Sequence, residues 1–132
     1  MKNLLGILVF SILATSCQKN FDEQCVLLAK EHTLKICPQQ IGKDIVMDSM
    51  VYTPATQTMA YYHTLSNELD NEQNIKRNLL RFRNGMVENI QSSVELRQMK
   101  EKKVNFCYAY RSKKTKKEII KVLITPKDYF KN

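Results

Sequence analysis

Glycine and proline are scarce, three of each in 132 residues, and the chain contains no low-complexity tract and no internal repeat. Long linkers and repeat arrays are thereby excluded, and the chain reads as one folded unit. It also lacks the motifs on which much reaction chemistry rests: there is no Cys-x-x-Cys, no His-Glu-x-x-His, no glycine-rich phosphate loop and no Gly-x-Ser-x-Gly elbow. The two histidines, His32 and His63, lie far apart in sequence. His63, on the Tyr61 and Leu65 side of a strand, reads as a tucked or rim histidine, so neither a metal nor a cofactor is expected. Asp22-Glu23 and Glu68 with Asp70 are acidic neighbours of the kind that are usually solvated, which leaves no paired acid and base. One nucleophile and base survive as a combination, Cys107 with His63 on neighbouring strands. The apolar stretch from Leu4 to Leu13 is too short to span a bilayer stably.

That stretch follows Lys2 and precedes the small residues Ala14, Thr15 and Ser16, the layout of a bacterial secretion signal. The run Leu13 to Cys17 resembles the lipobox of bacterial lipoproteins, although Ala14 stands where the commonest lipobox has leucine. The resemblance implies that residues 1–16 are removed and that Cys17 carries a diacylglycerol thioether and an acylated amine. One acyl chain holds a protein to a bilayer only reversibly, at about 0.8 kcal/mol per buried methylene, whereas two or more anchor it. The alternatives, an ordinary signal peptide or an uncleaved anchor, also export the domain. Residues 17–21 then form a short tether and residues 22–132 a single domain. Lys19 with Asp22 and Glu23 loosely resembles the signal that sends some lipoproteins to the cell surface. The expected location is therefore the periplasmic face of the outer membrane or the cell surface.

The formal charge is +8. For an exported chain this points away from nucleic acid, towards lipid phosphates, lipopolysaccharide, peptidoglycan carboxylates or an acidic protein, or to a merely soluble basic surface. Arg111, Lys113, Lys114, Lys116 and Lys117 crowd one expected hairpin tip, as a solvated turn or as a site for an anionic partner. Tyr61, Tyr62, Tyr108 and Tyr110 fall on adjacent or nearly adjacent strands, either as core contacts or as an aromatic platform for peptide or glycan; one set should stay visible. Cys25, Cys37 and Cys107 permit one bridge and one spare thiol, or three thiols acting as small apolar residues. A Cys25–Cys37 bridge conflicts with a helix between them, whereas Cys107 with either partner does not.

Apolar spacing predicts a first helix from Phe21 to Lys35, ended by Cys37-Pro38. Ile45–Thr53 and Gln57–Leu65 read as an antiparallel hairpin, Asn71–Gln91 as a long amphipathic helix with a kink allowed at Gly85, and Ser92 with Glu95 as a capping box before a short helix over Ser93–Lys100. Ile75, Leu79, Met86 and Ile90 should be the buried stripe of the long helix. Val104–Arg111 and Glu118–Thr125 form a second hairpin around Ser112–Lys117. The fold is α+β: an N-terminal helix, then β-β-α-α-β-β, with a four-stranded, mostly antiparallel sheet packed on the long helix.

This order, with Asp48-Ser49-Met50-Val51, Met59 to Leu65, Asn89 to Met99, Val104 to Tyr110 and Ile124 to Asp128, resembles a family of small exported bacterial proteins with no assigned activity. The resemblance covers residues 40–129. Its members often have one cysteine in the helix and one at the end; Gln91 and Tyr129 stand there instead, so that bridge is excluded. The function these readings favour is a membrane-anchored, non-enzymatic binding or accessory lipoprotein of the envelope. An inhibitor or immunity-type protein that blocks an envelope hydrolase is the second reading, and an enzyme with an unrecognised site the third.

Overall fold

The computed structural model describes residues 2–130, with side chains described from residue 18 onward. Its elements run α1 (Lys2–Lys35), β1 (Gln39–Gly42), β2 (Ile45–Thr53), β3 (Thr58–Leu65), α2 (Glu72–Arg77), α3 (Leu79–Ser92), α4 (Arg97–Glu101), β4 (Asn105–Ser112), β5 (Glu118–Ile124) and α5 (Pro126–Tyr129). One sheet holds the strands in the order β1-β2-β3-β4-β5. The β3–β4 pairing is parallel and the other three are antiparallel.

The sheet has five strands rather than the expected four. All four residues of β1 are exposed, so it carries no alternation of buried and exposed side chains; only its pairing of Gln39 with Met47 and Gln40 with Val46 defines it. The long helix is interrupted at Asn78 and not at Gly85. Asn78 donates from Nδ2 to the carbonyl oxygen and to Oδ1 of Asn74, both at 2.9 Å, competing with the helical ladder, while Gly85 lies inside an unbroken α3. The Ser92–Glu95 capping box is absent. It is Ser93 whose Oγ accepts from the Leu96 amide, and α4 begins later, at Arg97. A capping box forms instead at Thr125 and Asp128, opening α5. Residues 18–20, part of the short tether expected over residues 17–21, continue α1, where Gln18 Nε2 donates to Asp22 Oδ1 at 3.2 Å.

One face of the sheet is the core. α1 lays Phe21, Cys25 and Ala29, each one turn after the last, against Met50 and Tyr52, and α3 and α4 add Ile90 and Met99 over Phe106, Val122 and Ile124. Beyond the end of β1, β2 becomes an edge strand. The Thr33 hydroxyl takes over there, accepting from the Met50 amide at 2.9 Å and donating to its carbonyl at 3.1 Å. Asp22 accepts from the Tyr52 hydroxyl at 2.7 Å and fixes the other half of the helix. Gln91 Nε2 donates to the Tyr129 carbonyl at 3.3 Å, so a hydrogen bond joins the two positions where the resembled family often has its cysteines.

The outer edge, β5, is covered by charge. Arg83 donates to the Leu123 carbonyl at 2.9 Å and pairs with Asp128 at 2.9 Å. The Thr125 amide, then Arg83, hold the Asp128 carboxyl below the usual range. A carboxylate with a depressed folded pKa stabilises the fold above its unfolded pKa and loses that contribution as pH falls through the folded one. Asp128→Asn should therefore cost stability at neutral pH, and its melting temperature should converge on the wild type's as the pH drops below about 4. A gap that persists unchanged into acid would assign the loss to shape and not to charge.

Candidate binding surfaces

A groove of about 360 Å³ opens between α2–α3 and the core face of the sheet. Ile45, Leu65, Tyr110, Ile120 and Val122 come up from four strands to form its floor. Its wall is Ile75, Leu79, Phe82 and Met86, and Arg81 and Asn89 are the polar groups that reach it. Leu79 is thus not the core residue that periodicity implies: it is 37 % exposed and faces the groove, whereas Ile75 and Ile90 are buried. Phe82 is 42 % exposed beside it. The sequence carried a signal for this groove. Leu79, Leu80, Phe82, Met86 and Val87 give α3 more apolar surface than one buried stripe requires, and an exposed surplus of that kind marks a contact surface.

The four tyrosines divide between the two faces. Register pairs Tyr61 with Tyr108 and His63 with Tyr110 on the core face, where Tyr61 stacks on Tyr108 at 5.1 Å and His63 on Tyr110 at 4.5 Å. Burial pushes the Tyr61 and Tyr108 hydroxyls upward and that of Tyr110 up to about 12. Only Tyr62 lies on the open face, so of the two alternatives three tyrosines are core-face contacts and the visible set is a single residue. Cys107 and His63 do not meet. Cys107 pairs with Ala60 on the open face, while His63 is buried in the aromatic row with Nδ1 3.2 Å from the Ala109 carbonyl. Burial lowers the His63 pKa and raises that of Cys107, the reverse of what an activated thiolate and base need. Cys25, Cys37 and Cys107 are all free thiols, and burial pushes Cys25 up to about 11. Among the described residues no cluster of His, Cys, Asp and Glu could hold a metal.

The basic turn between β4 and β5 is held from several sides. The Lys113 amide donates to the Leu65 carbonyl at 3.0 Å, the Lys114 amide to Asp70 at 3.1 Å and the Lys116 amide to the Ser112 carbonyl at 2.9 Å. Arg111 lies on the open face beside the tip, its Nε donating to Thr64 Oγ1 at 2.9 Å and lying 3.8 Å from Asp48. Lys113, Lys114, Lys116 and Lys117 have no carboxylate within 4.0 Å among the described residues. The Cys17 side chain, the expected lipidation site, lies outside the described side chains. No described helix is long and apolar enough to cross a membrane.

The chain belongs to the family of the domain of unknown function DUF8479, which matches residues 20–120. No curated protein matches its sequence. Its fold is similar to that of PA3611 of Pseudomonas aeruginosa, described as a secreted protein, with a TM-score of 0.70 at 14 % identity over 85 % of this chain and 95 % of that one. It is also similar to the pilotin EpsS of the Vibrio vulnificus type 2 secretion system, with a TM-score of 0.61 at 7 % identity, over 87 % of this chain and 96 % of that one. For the pilotin AspS of the Vibrio cholerae type II secretion system the TM-score is 0.60 at 10 % identity, over 87 % of this chain and 97 % of that one. At these identities the likeness is one of fold.

Proposed function

We propose that the protein is an exported, lipid-anchored accessory protein of the bacterial envelope, which carries out no reaction and acts by holding an apolar segment of another envelope protein. The observation that carries this reading is the groove between α2–α3 and the sheet. A folded domain ordinarily fills such a space with its own side chains; here Leu79 and Phe82 are left partly exposed along it. Leu79, Phe82 and Met86 stand at helical spacing along one wall, a surface suited to a partner helix with apolar residues one turn apart. Arg81 at the mouth has no ion pair among the described residues and would receive an acidic residue of that segment. The secretion-signal sequence before Cys17 supports export, and the fold likeness to two type II secretion pilotins supports an accessory role.

Photocrosslinking from position 82 in cells, compared with position 34 on the outer side of α1, tests the reading. An envelope protein should be captured from position 82 alone, and a peptide of the crosslinked segment should bind the purified protein. Leu79→Asp with Phe82→Asp should weaken that peptide by about tenfold or more, since each buried apolar side chain contributes about 1.5–3 kcal/mol, in a variant whose melt remains cooperative although lower than the wild type's. A captured hydrolase whose activity falls on binding would replace the accessory role with inhibition. Equal capture from both positions would remove the groove from the mechanism.

A further inference from the structure

We infer that the open face of the sheet binds an anionic membrane lipid, with the headgroup phosphate held by Arg111, Lys113 and Lys116. The pairing registers grade this face from apolar to cationic. Val51, Ala60, Cys107 and Leu123 are aligned across β2 to β5 as one apolar row. The next row is Ser49, Tyr62, Ala109 and Lys121, and the one after is Val46, Thr64, Arg111 and Glu118. Val51 is 47 % exposed and Leu123 49 %, while Ala60 and Cys107 between them are buried, so the row shows its apolar surface on the two outer strands. Exposed apolar side chains at Val51 and Leu123, on a face whose other end carries cations, match a lipid, whose phosphate and hydrocarbon lie at opposite ends, better than they match a free anion.

The cationic end is a shaped site. Two adjoining cavities, of about 380 and 270 Å³, share Asp48, Arg111 and Lys116; the larger includes Tyr62 and the smaller Lys113, Thr64 and Ser66. Asp48 is already engaged, accepting from Thr64 Oγ1 at 2.6 Å and facing Arg111 Nε. Glu118 is paired with Lys121 at 3.6 Å. Arg111 uses only its Nε on Thr64; its two terminal nitrogens have no hydrogen-bond partner among the described residues, which leaves the fork free for a phosphate. Lys116 holds a φ of 64°, a left-handed turn position that favours glycine or asparagine. A lysine there accepts backbone strain and gains a charge over the cavity, with the Thr115 amide on Ser112 Oγ at 3.1 Å and the Ser112 amide on the Lys117 carbonyl at 2.9 Å fixing the turn. The cavities are of headgroup size, too small to seat a folded partner, and Tyr62 beside them supplies the amphipathic ring that suits a membrane interface.

The site does not use the α3 groove, so either inference survives failure of the other. The test is co-sedimentation of purified protein carrying Cys17→Ser, which removes lipid attachment, with phosphatidylcholine vesicles that contain or lack phosphatidylglycerol. Binding should require phosphatidylglycerol. Arg111→Gln, Lys113→Gln and Lys116→Gln together should weaken it by roughly a hundredfold, about fivefold per charge. The charge-matched set Lys76→Gln, Arg97→Gln and Lys127→Gln, on other surfaces, should weaken it far less, and Tyr62→Ser should weaken it with the charge unchanged. Equal losses from the two triple variants would mean diffuse attraction and overturn the site. Inorganic phosphate alone binding as tightly as the vesicles, or a polyglutamate peptide displacing the protein from them completely, would overturn the lipid assignment.

Discussion

Ile90→Ala should lower stability by about 2–5 kcal/mol, the range for truncating a buried aliphatic side chain, and a domain of this size should then melt about 10 °C lower or more. Ile90 is 1 % exposed and joins the cluster that includes Phe106, Val122 and Tyr129. Its truncation should leave a cavity that the surrounding side chains fill only in part. Leu79→Ala, which periodicity alone would rank as equally damaging, should cost well under half as much, because the methyl groups it removes already border an open groove. Lys76→Ala should be almost silent, since the Lys76–Glu72 pair, 63 % and 60 % exposed, is well solvated. Thermal melts of the three variants in one buffer decide the order. Equal losses for Ile90→Ala and Leu79→Ala would show that the groove is closed in solution and belongs to the core.

The contrast between Ile90 and Leu79 also shows what the sequence makes legible. Spacing at three and four residues says that one side of a helix is apolar, and α3 is apolar on that side. It does not say how far along the helix the sheet continues to press, and Leu79 sits where the contact opens. The two hairpins were legible because the strands of each lie close in sequence and alternate. That β3 and β4 are neighbours was anticipated for His63 and Cys107, but their parallel direction and register were not, because nothing local to Thr58–Leu65 or Asn105–Ser112 records how distant strands will align. That pairing decides the fate of the tyrosines: it places Tyr61, Tyr108 and Tyr110 with His63 in one row and separates Cys107 from His63. β1 was invisible because its four residues bury nothing, and the break at Asn78 because Asn74 and Asn78 act through side-chain bonds that apolar periodicity ignores. The basic cluster was legible as charge. That Arg111 belongs to the open face with Thr64 follows only from register.

On the proposed reading, Cys17→Ser should move the protein from the membrane fraction to the soluble fraction. A single saturated chain of moderate length binds a bilayer with a constant on the order of 10⁴ M⁻¹, and each added chain contributes about 0.8 kcal/mol per buried methylene, so a fully acylated cysteine leaves almost none free. No described helix offers a membrane span in compensation, and the lipid site on the open face is weak by comparison. Fold stability should be unchanged, because among the described side chains the first member of the buried cluster is Phe21. The distance from anchor to core is nevertheless short. The backbone of α1 is helical from residue 2 to residue 35, and four helical residues rise only about 6 Å, so Phe21 stands one turn from the lipidated position. An anchor this close would hold the domain against the headgroups with little slack, and Gly/Ser residues inserted after Asn20 should free it while leaving membrane fractionation intact. Fractionation with mass spectrometry of the N-terminus is the measurement. An unmodified Cys17 in the wild type, or equal membrane fractions for wild type and Cys17→Ser, would refute the anchor.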